Sequence, residues 1–228
     1  MMTDPCAVIV SHGQPSDPGS AAAELARLAA AVALHLPGWR VTSATLAEPD
    51  ALAGAVSGPH GLVYPMFMAA GWFTRTHLPQ RLAGAGAGGW QVLPPFGMDG
   101  QVQALALTLV REAGLGAGGA LLLAAHGSFR SPAPAQVARQ VAADIGAALR
   151  LARAEAAFID QTPRLAEASG FGAQSLCLPF FAASGGHVID DLPEALAEAE
   201  FQGRVLPPLG LDPRVPALIA SRLKAAAL

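Results

Sequence analysis

Two histidines stand where this 228-residue sequence changes character. His126 directly follows the apolar run Ala120 to Ala125. His187 follows a second run, Leu176 to Phe181, and a stretch of small residues from Ala182 to Gly186. Neutral imidazole ligates borderline metals such as cobalt, iron, nickel and zinc, and it also accepts protons near neutral pH. Asp190, Asp191 and Glu194 lie within a turn or two of His187, where carboxylates steer a cation, accept released protons or orient an imidazole. Phe129 and one of Phe180 and Phe181 offer an apolar wall for a flat ligand, since consecutive strand residues face opposite ways. Ser128 follows His126-Gly127 with no G-x-S-x-G elbow around it, so it is not read as a nucleophile. His35, within a helical stretch, and His60, in a Gly-Pro-His-Gly turn, are read as structural.

The elements that must position these groups alternate between two periodicities. Unbroken apolar runs such as Ala7 to Val10, Ala120 to Ala125 and Leu176 to Leu178 predict strands covered on both faces. Pro179 is expected to end pairing in its strand. Amphipathic stretches between the runs predict helices over 21–36, 73–82 and 99–112, with a short helix over 49–56 and its counterpart from Pro163. Asp99 is a predicted N-cap.

A shift of 114 residues carries His12-Gly13 onto His126-Gly127, Pro65 onto Pro179, Phe67 onto Phe181 and Leu78-Pro79 onto Leu192-Pro193. A shift of 113 carries LPPFGMD at 93–99 onto LPPLGLD at 206–212. The chain therefore reads as two copies of one unit, residues 1–114 and 115–228, with Gly114 to Gly119 as the linker. The fold class is α/β: two tandem repeats of a small parallel β-sheet flanked by helices, with a cleft between them. Loops after the strands gather at one sheet edge, where open α/β sheets keep their ligands.

Composition removes several function classes. Hydrophobic residues make up 52% of the chain, ample for a core. Apolar runs are too short to span a bilayer, and the first residues lack a basic leader, so a cytoplasmic protein without a membrane partner is expected. The two cysteines, Cys6 and Cys177, sit in separate apolar runs and suggest neither a disulfide nor a zinc site. A net charge of −3 argues against nucleic acid as a partner.

The AHGS of 125–128, together with LPFFAASGGHVIDDLP at 178–193, resembles the CbiX-type sirohydrochlorin chelatases. That family shows HG after its first strand and a P-L-F-L-x-x-G-x-H-V-x-x-D-I-P-like segment after its third. The terminal LPPLGLDPR resembles its L-G-x-x-P segment. The likeness covers the second copy and, more weakly, the first. It implies a chelatase-like two-domain fold and insertion of a divalent metal, cobalt or ferrous iron, into sirohydrochlorin for cobalamin or sirohaem synthesis. The metal is then a substrate, and no cofactor is permanently bound. His126 and His187 match the family's active-site histidines, and Asp191 joins them as a candidate metal ligand. Phe129, Arg130, Phe181 and Ser128 are candidate contacts for the macrocycle, and Arg75 and Arg130 are candidate anchors for its carboxylates. Internal duplication makes a monomer sufficient.

The first copy departs from the pattern. His12 matches the first histidine, but the second falls on Phe73, and His77 takes the place of Asp191. His12 and His77 are thus a second or relic site, and Trp72, Phe73 and Met68 are a wall or lid. Two other readings stand beside the enzyme: a non-catalytic tetrapyrrole or metal carrier, and a pseudo-enzyme whose histidines are only hydrogen-bonded.

Overall fold

A computed structural model describes residues 4–185 and 187–227; of His187 it describes the backbone alone. Two parallel four-stranded sheets, each flanked by helices, carry the chain. In the first unit β1 (Cys6–Ser11) leads through α1 (Pro18–Ala33) to β2 (Arg40–Thr45). There follow α2 (Ala51–Ala55), β3 (Leu62–Pro65), a π-helical turn over Phe73–His77, α3 (Leu78–Gly84) and β4 (Gln91–Val92). The strand order is β2-β1-β3-β4. The second unit opens with α4 (Gly100–Glu112) and continues as β5 (Ala120–Ala125), α5 (Ala133–Leu149), β6 (Arg153–Phe158) and β7 (Leu176–Pro179). A π-helical turn over His187–Asp191, α6 (Leu192–Glu198) and β8 (Arg204–Val205) complete it, in the order β6-β5-β7-β8.

The central strands are the most apolar and the most buried: Ala7 to Val10 in β1 and Leu121 to Ala124 in β5 are almost fully removed from solvent. Burying a side chain of leucine size stabilises by about 1.5–3 kcal/mol, so these strands anchor their sheets. Asp17 caps α1, its Oδ1 accepting from the Ser20 N–H at 3.2 Å, with Pro18 at the first helical position. Leu25, Ala29 and Val32 form the buried stripe of that helix at helical spacing. Asp99 caps α4 as expected, accepting from the Gln101 N–H at 2.9 Å. Pro65 and Pro179 each end their strand. The short helix expected from Pro163 is only a 3₁₀ turn, Leu165–Glu167. There the Phe158 N–H bonds the Pro163 carbonyl, which folds the segment back on β6 and uses a backbone group a helix would need.

Sequence copies and compact units differ by the exchange of one helix each. The chain up to Phe96 compacts with the segment from Pro213 onward, and Gly97–Asp212 forms the other unit. Thus α4, written in the first copy, packs on α5 and β7. The last helix, α7 (Val215–Ala226), packs on α1 and β3. The two helices take matching places, and the chain passes between units at the repeated LPPFGMD and LPPLGLD segments. Gly114 to Gly119 lies within the second unit, where the Gly118 N–H bonds the Arg150 carbonyl. Among the described residues, no helix is long and apolar enough to cross a membrane.

Candidate active site at the switch point of the second sheet

In a sheet ordered 2-1-3-4 the chain leaves the central strand toward one edge and returns on its other side. The loops after the first and third strands diverge there and open a crevice at their carboxyl ends. In the second unit that crevice lies beyond β5 and β7. His126 is the first residue after β5, and His187 begins the turn reached from β7.

Gly127 is required by its backbone, with φ at +78°. A Cβ there would also stand 2.6 Å from Cγ of Gln161 and 3.0 Å from Cβ of Phe158. Gln161 Oε1 accepts the Ser128 N–H at 2.8 Å, and Ser128 Oγ accepts the Arg130 N–H at 3.1 Å. Ser128 therefore shapes the loop that presents Phe129, which is 75% exposed, and Arg130, also exposed.

The register of β5 on β6 brings a residue to His126 that the motif reading missed. Beyond the strand ends the Ile159 N–H bonds the Ala125 carbonyl at 3.1 Å and the Asp160 N–H bonds the His126 carbonyl at 2.9 Å. Asp160 Oδ2 then lies 3.2 Å from His126 Nδ1. The His126 side chain is 40% exposed while its Nδ1 is shut off from solvent. A carboxylate at Nδ1 orients the ring. Counting one or two residues past the ends of neighbouring parallel strands is the signal that finds Asp160.

On the β7 side the Phe180 N–H bonds the Ala124 carbonyl, and the Phe181 carbonyl accepts from the Gly210 N–H at 2.8 Å. Phe180 and Phe181 are both buried, Phe181 at 7% exposure. Of these three phenylalanines, Phe129 is therefore the one open to a ligand, and Phe181 offers little exposed surface. Gly185 offers its carbonyl to Val188 and Ile189, which starts the π-helical turn, a form frequent at functional sites. Gly186 and the side chain of His187 lie outside the described residues.

Asp190 and Glu194 are exposed. Asp191 lines a cavity of 190 Å³ with Phe158, Ile159, Arg164, Glu194 and Glu198. Among the described residues no three His, Cys, Asp or Glu side chains converge into a metal cage.

In the first unit the equivalent point is differently furnished. His12 follows β1, but the residue bonded to its carbonyl, matching Asp160, is Ala47. Rings surround His12 instead: Phe73 at 4.3 Å, with His77 and Trp72 beyond it. Burial among them, and secondarily the charge His77 would carry, lower the pKa of His12 below its ordinary 6.5. The structure brings His12 and His77 into one aromatic cluster, without a carboxylate at the Ala47 position.

No curated protein matches the sequence. The sequence family described as CbiX matches residues 120–226. Among solved structures, a CbiX described as the terminal enzyme for biosynthesis of siroheme in denitrifying bacteria is 48% identical. It superimposes with a TM-score of 0.89 over 96% of this chain and 98% of its own. SirB from Bacillus subtilis with Fe3+ has a TM-score of 0.73 at 15% identity, over 98% of this chain and 96% of that one. The sirohydrochlorin chelatase SirB from Bacillus subtilis subspecies spizizenii, in complex with cobalt, has 0.71 at 16% identity, over 98% and 95%. These last two share the fold. With HG after the first strand of the second sheet, a histidine-bearing turn after the third, and 48% identity to a CbiX along nearly its whole length, this chain belongs to the CbiX family.

Proposed function

We propose that the protein is a sirohydrochlorin chelatase that inserts a divalent metal into the macrocycle from its second unit. The single observation that carries the reading is His126 at the switch point of the second sheet, its Nδ1 backed by Asp160 at 3.2 Å. Insertion replaces two pyrrole N–H protons by one metal ion, so the site must take up two protons and guide one cation. His126, partly exposed and with the Asp160 carboxylate beside its Nδ1, suits the first task or a transient bond to the metal. His187, matching the family's second histidine, is its partner. Asp191 and Glu194 guide the metal or carry protons away. Phe129 meets the ring face, Arg130 a ring carboxylate, and the Ser128 loop holds both in place. The relative 48% identical is described as the terminal enzyme for siroheme biosynthesis, which favours ferrous iron over cobalt and the sirohaem branch over cobalamin. No cofactor stays bound between turnovers, a single cytoplasmic chain suffices, and the first copy's His12 and His77 are a relic of the same site.

The test is anaerobic metallation of sirohydrochlorin with ferrous iron and with cobalt, followed by absorbance. The wild type should exceed the uncatalysed rate. His126→Ala and His187→Ala should each abolish that excess, and His12→Ala should keep it. Loss with His12→Ala alone would move the chemistry to the first unit and overturn the assignment. A wild type that binds the macrocycle without metallating it would favour the carrier.

A further inference from the structure

The first unit keeps the backbone frame of the second at its switch point and changes what the frame carries. Matched position by position, Gly186 becomes Trp72, His187 becomes Phe73, Asp191 becomes His77, and Asp160 becomes Ala47. His187 and Asp160 give way to Phe73 and Ala47, Trp72 adds π-surface where the second unit has a glycine, and His77 puts an imidazole in the place of a carboxylate. The Trp72 indole lies 4.8 Å from the His77 imidazole and within 18° of parallel, so one face of the indole is covered. Phe73 stands edge-on to both, at 5.1 Å and 5.9 Å, and packs in turn on Phe67 and His12. Trp72 nevertheless remains 59% exposed, so its other face is open to solvent.

The backing is stiff. Buried Thr74 both accepts the Gly71 N–H, at 3.0 Å, and donates to the Gly71 carbonyl, at 3.2 Å. The Arg75 N–H bonds that carbonyl too. A large aromatic surface held open on a fixed turn has its ordering entropy removed in advance, which is what a binding surface requires.

We propose that Trp72, backed by His77 and Phe73, is a stacking platform for the face of a flat conjugated macrocycle, so that the first unit binds the tetrapyrrole without doing chemistry on it. The class of ligand rests on the chelatase reading; the platform itself rests on the ring geometry. Arg75, exposed on the same turn, adds a guanidinium for a ring carboxylate.

The experiment is anaerobic titration of the full-length protein with metal-free sirohydrochlorin, read from the macrocycle's own absorbance. Wild type is compared with Trp72→Ala and Trp72→Phe. Because Trp72 is exposed, both variants should melt as the wild type does. Trp72→Ala should weaken binding roughly tenfold, the scale of one lost stacking contact, and Trp72→Phe should recover most of it. Unchanged affinity in Trp72→Ala would overturn the platform. So would unchanged affinity accompanied by a shift from dimer to monomer in sedimentation, which would make Trp72 a self-contact. A wild type that binds through Trp72 yet never metallates would sink the chelatase reading and leave the platform standing. Metallation with Trp72-independent binding would do the reverse.

Discussion

Asp160→Asn isolates the charge behind His126 while keeping the shape of the side chain. At 3.2 Å a full carboxylate–imidazolium pair would be worth about 1.3 kcal/mol in a water-like medium and about 5 kcal/mol at an effective dielectric of 20. The two side chains are 40% and 32% exposed, so solvent screening holds the value near the lower end, about 1–2 kcal/mol. If His126 accepts a pyrrole proton, that energy is present only once the imidazolium forms. It should therefore appear in the chemical step as a five- to thirty-fold slower rate, by order of magnitude. Single-turnover metallation of saturating sirohydrochlorin under anaerobic conditions measures it directly, with thermal melts to confirm folding. Added salt should narrow the gap between wild type and variant, because the pair is partly exposed. A folded Asp160→Asn protein that metallates at the wild-type rate would refute the account of Asp160. A loss as complete as that of His126→Ala would show that the carboxylate does more than support the ring.

Three further outcomes follow from the geometry. Gly127→Ala places a side chain at φ +78° and against Gln161 and Phe158, so it should cost about 1–3 kcal/mol and lower the melting temperature by several degrees, with slower metallation as the His126 loop shifts. Unchanged melting would refute that packing. Cys177, whose thiol burial pushes up to about 12, should resist thiol reagents in the native protein while Cys6 reacts, which a timed labelling experiment with mass spectrometry reads; early labelling at Cys177 would contradict the burial of β7. His12 should make stability pH-dependent. Its folded pKa lies below the unfolded 6.5, so the unfolded chain binds the proton first. Stability should then be full above about pH 6.5 and fall as pH drops below it. In denaturant titrations His12→Phe should flatten that decline, and an identical pH profile would remove the argument.

Much of the architecture was legible in the sequence because its signals are local. Fully apolar runs mark strands buried on both faces, and Ala7 to Val10 and Leu121 to Ala124 proved to be the central ones. Internal repetition announced two sheets, and the paired His-Gly steps at 12–13 and 126–127 both place glycine at positive φ. His126 and His187 could be singled out because the strand-then-histidine order is itself a sequence pattern. Asp160 could not, since it stands 34 residues from His126 in a polar turn and reaches it only through the parallel register of β5 on β6. Phe181 was legible as apolar, but which of two adjacent phenylalanines was free depended on packing that buried both.

The exchange of α4 and α7 marks the same boundary. An amphipathic stripe such as Val102, Leu105, Ala106 and Val110 states that one face must be covered. It does not state which sheet covers it, and two copies of one fold offer near-equivalent places. Sequence alone fixes what local patterning encodes: element type, burial of a face, and turn chemistry. Tertiary structure decided which equivalent surface each helix covers and which distant carboxylate meets the histidine, because those depend on strand register and on competition between similar packings.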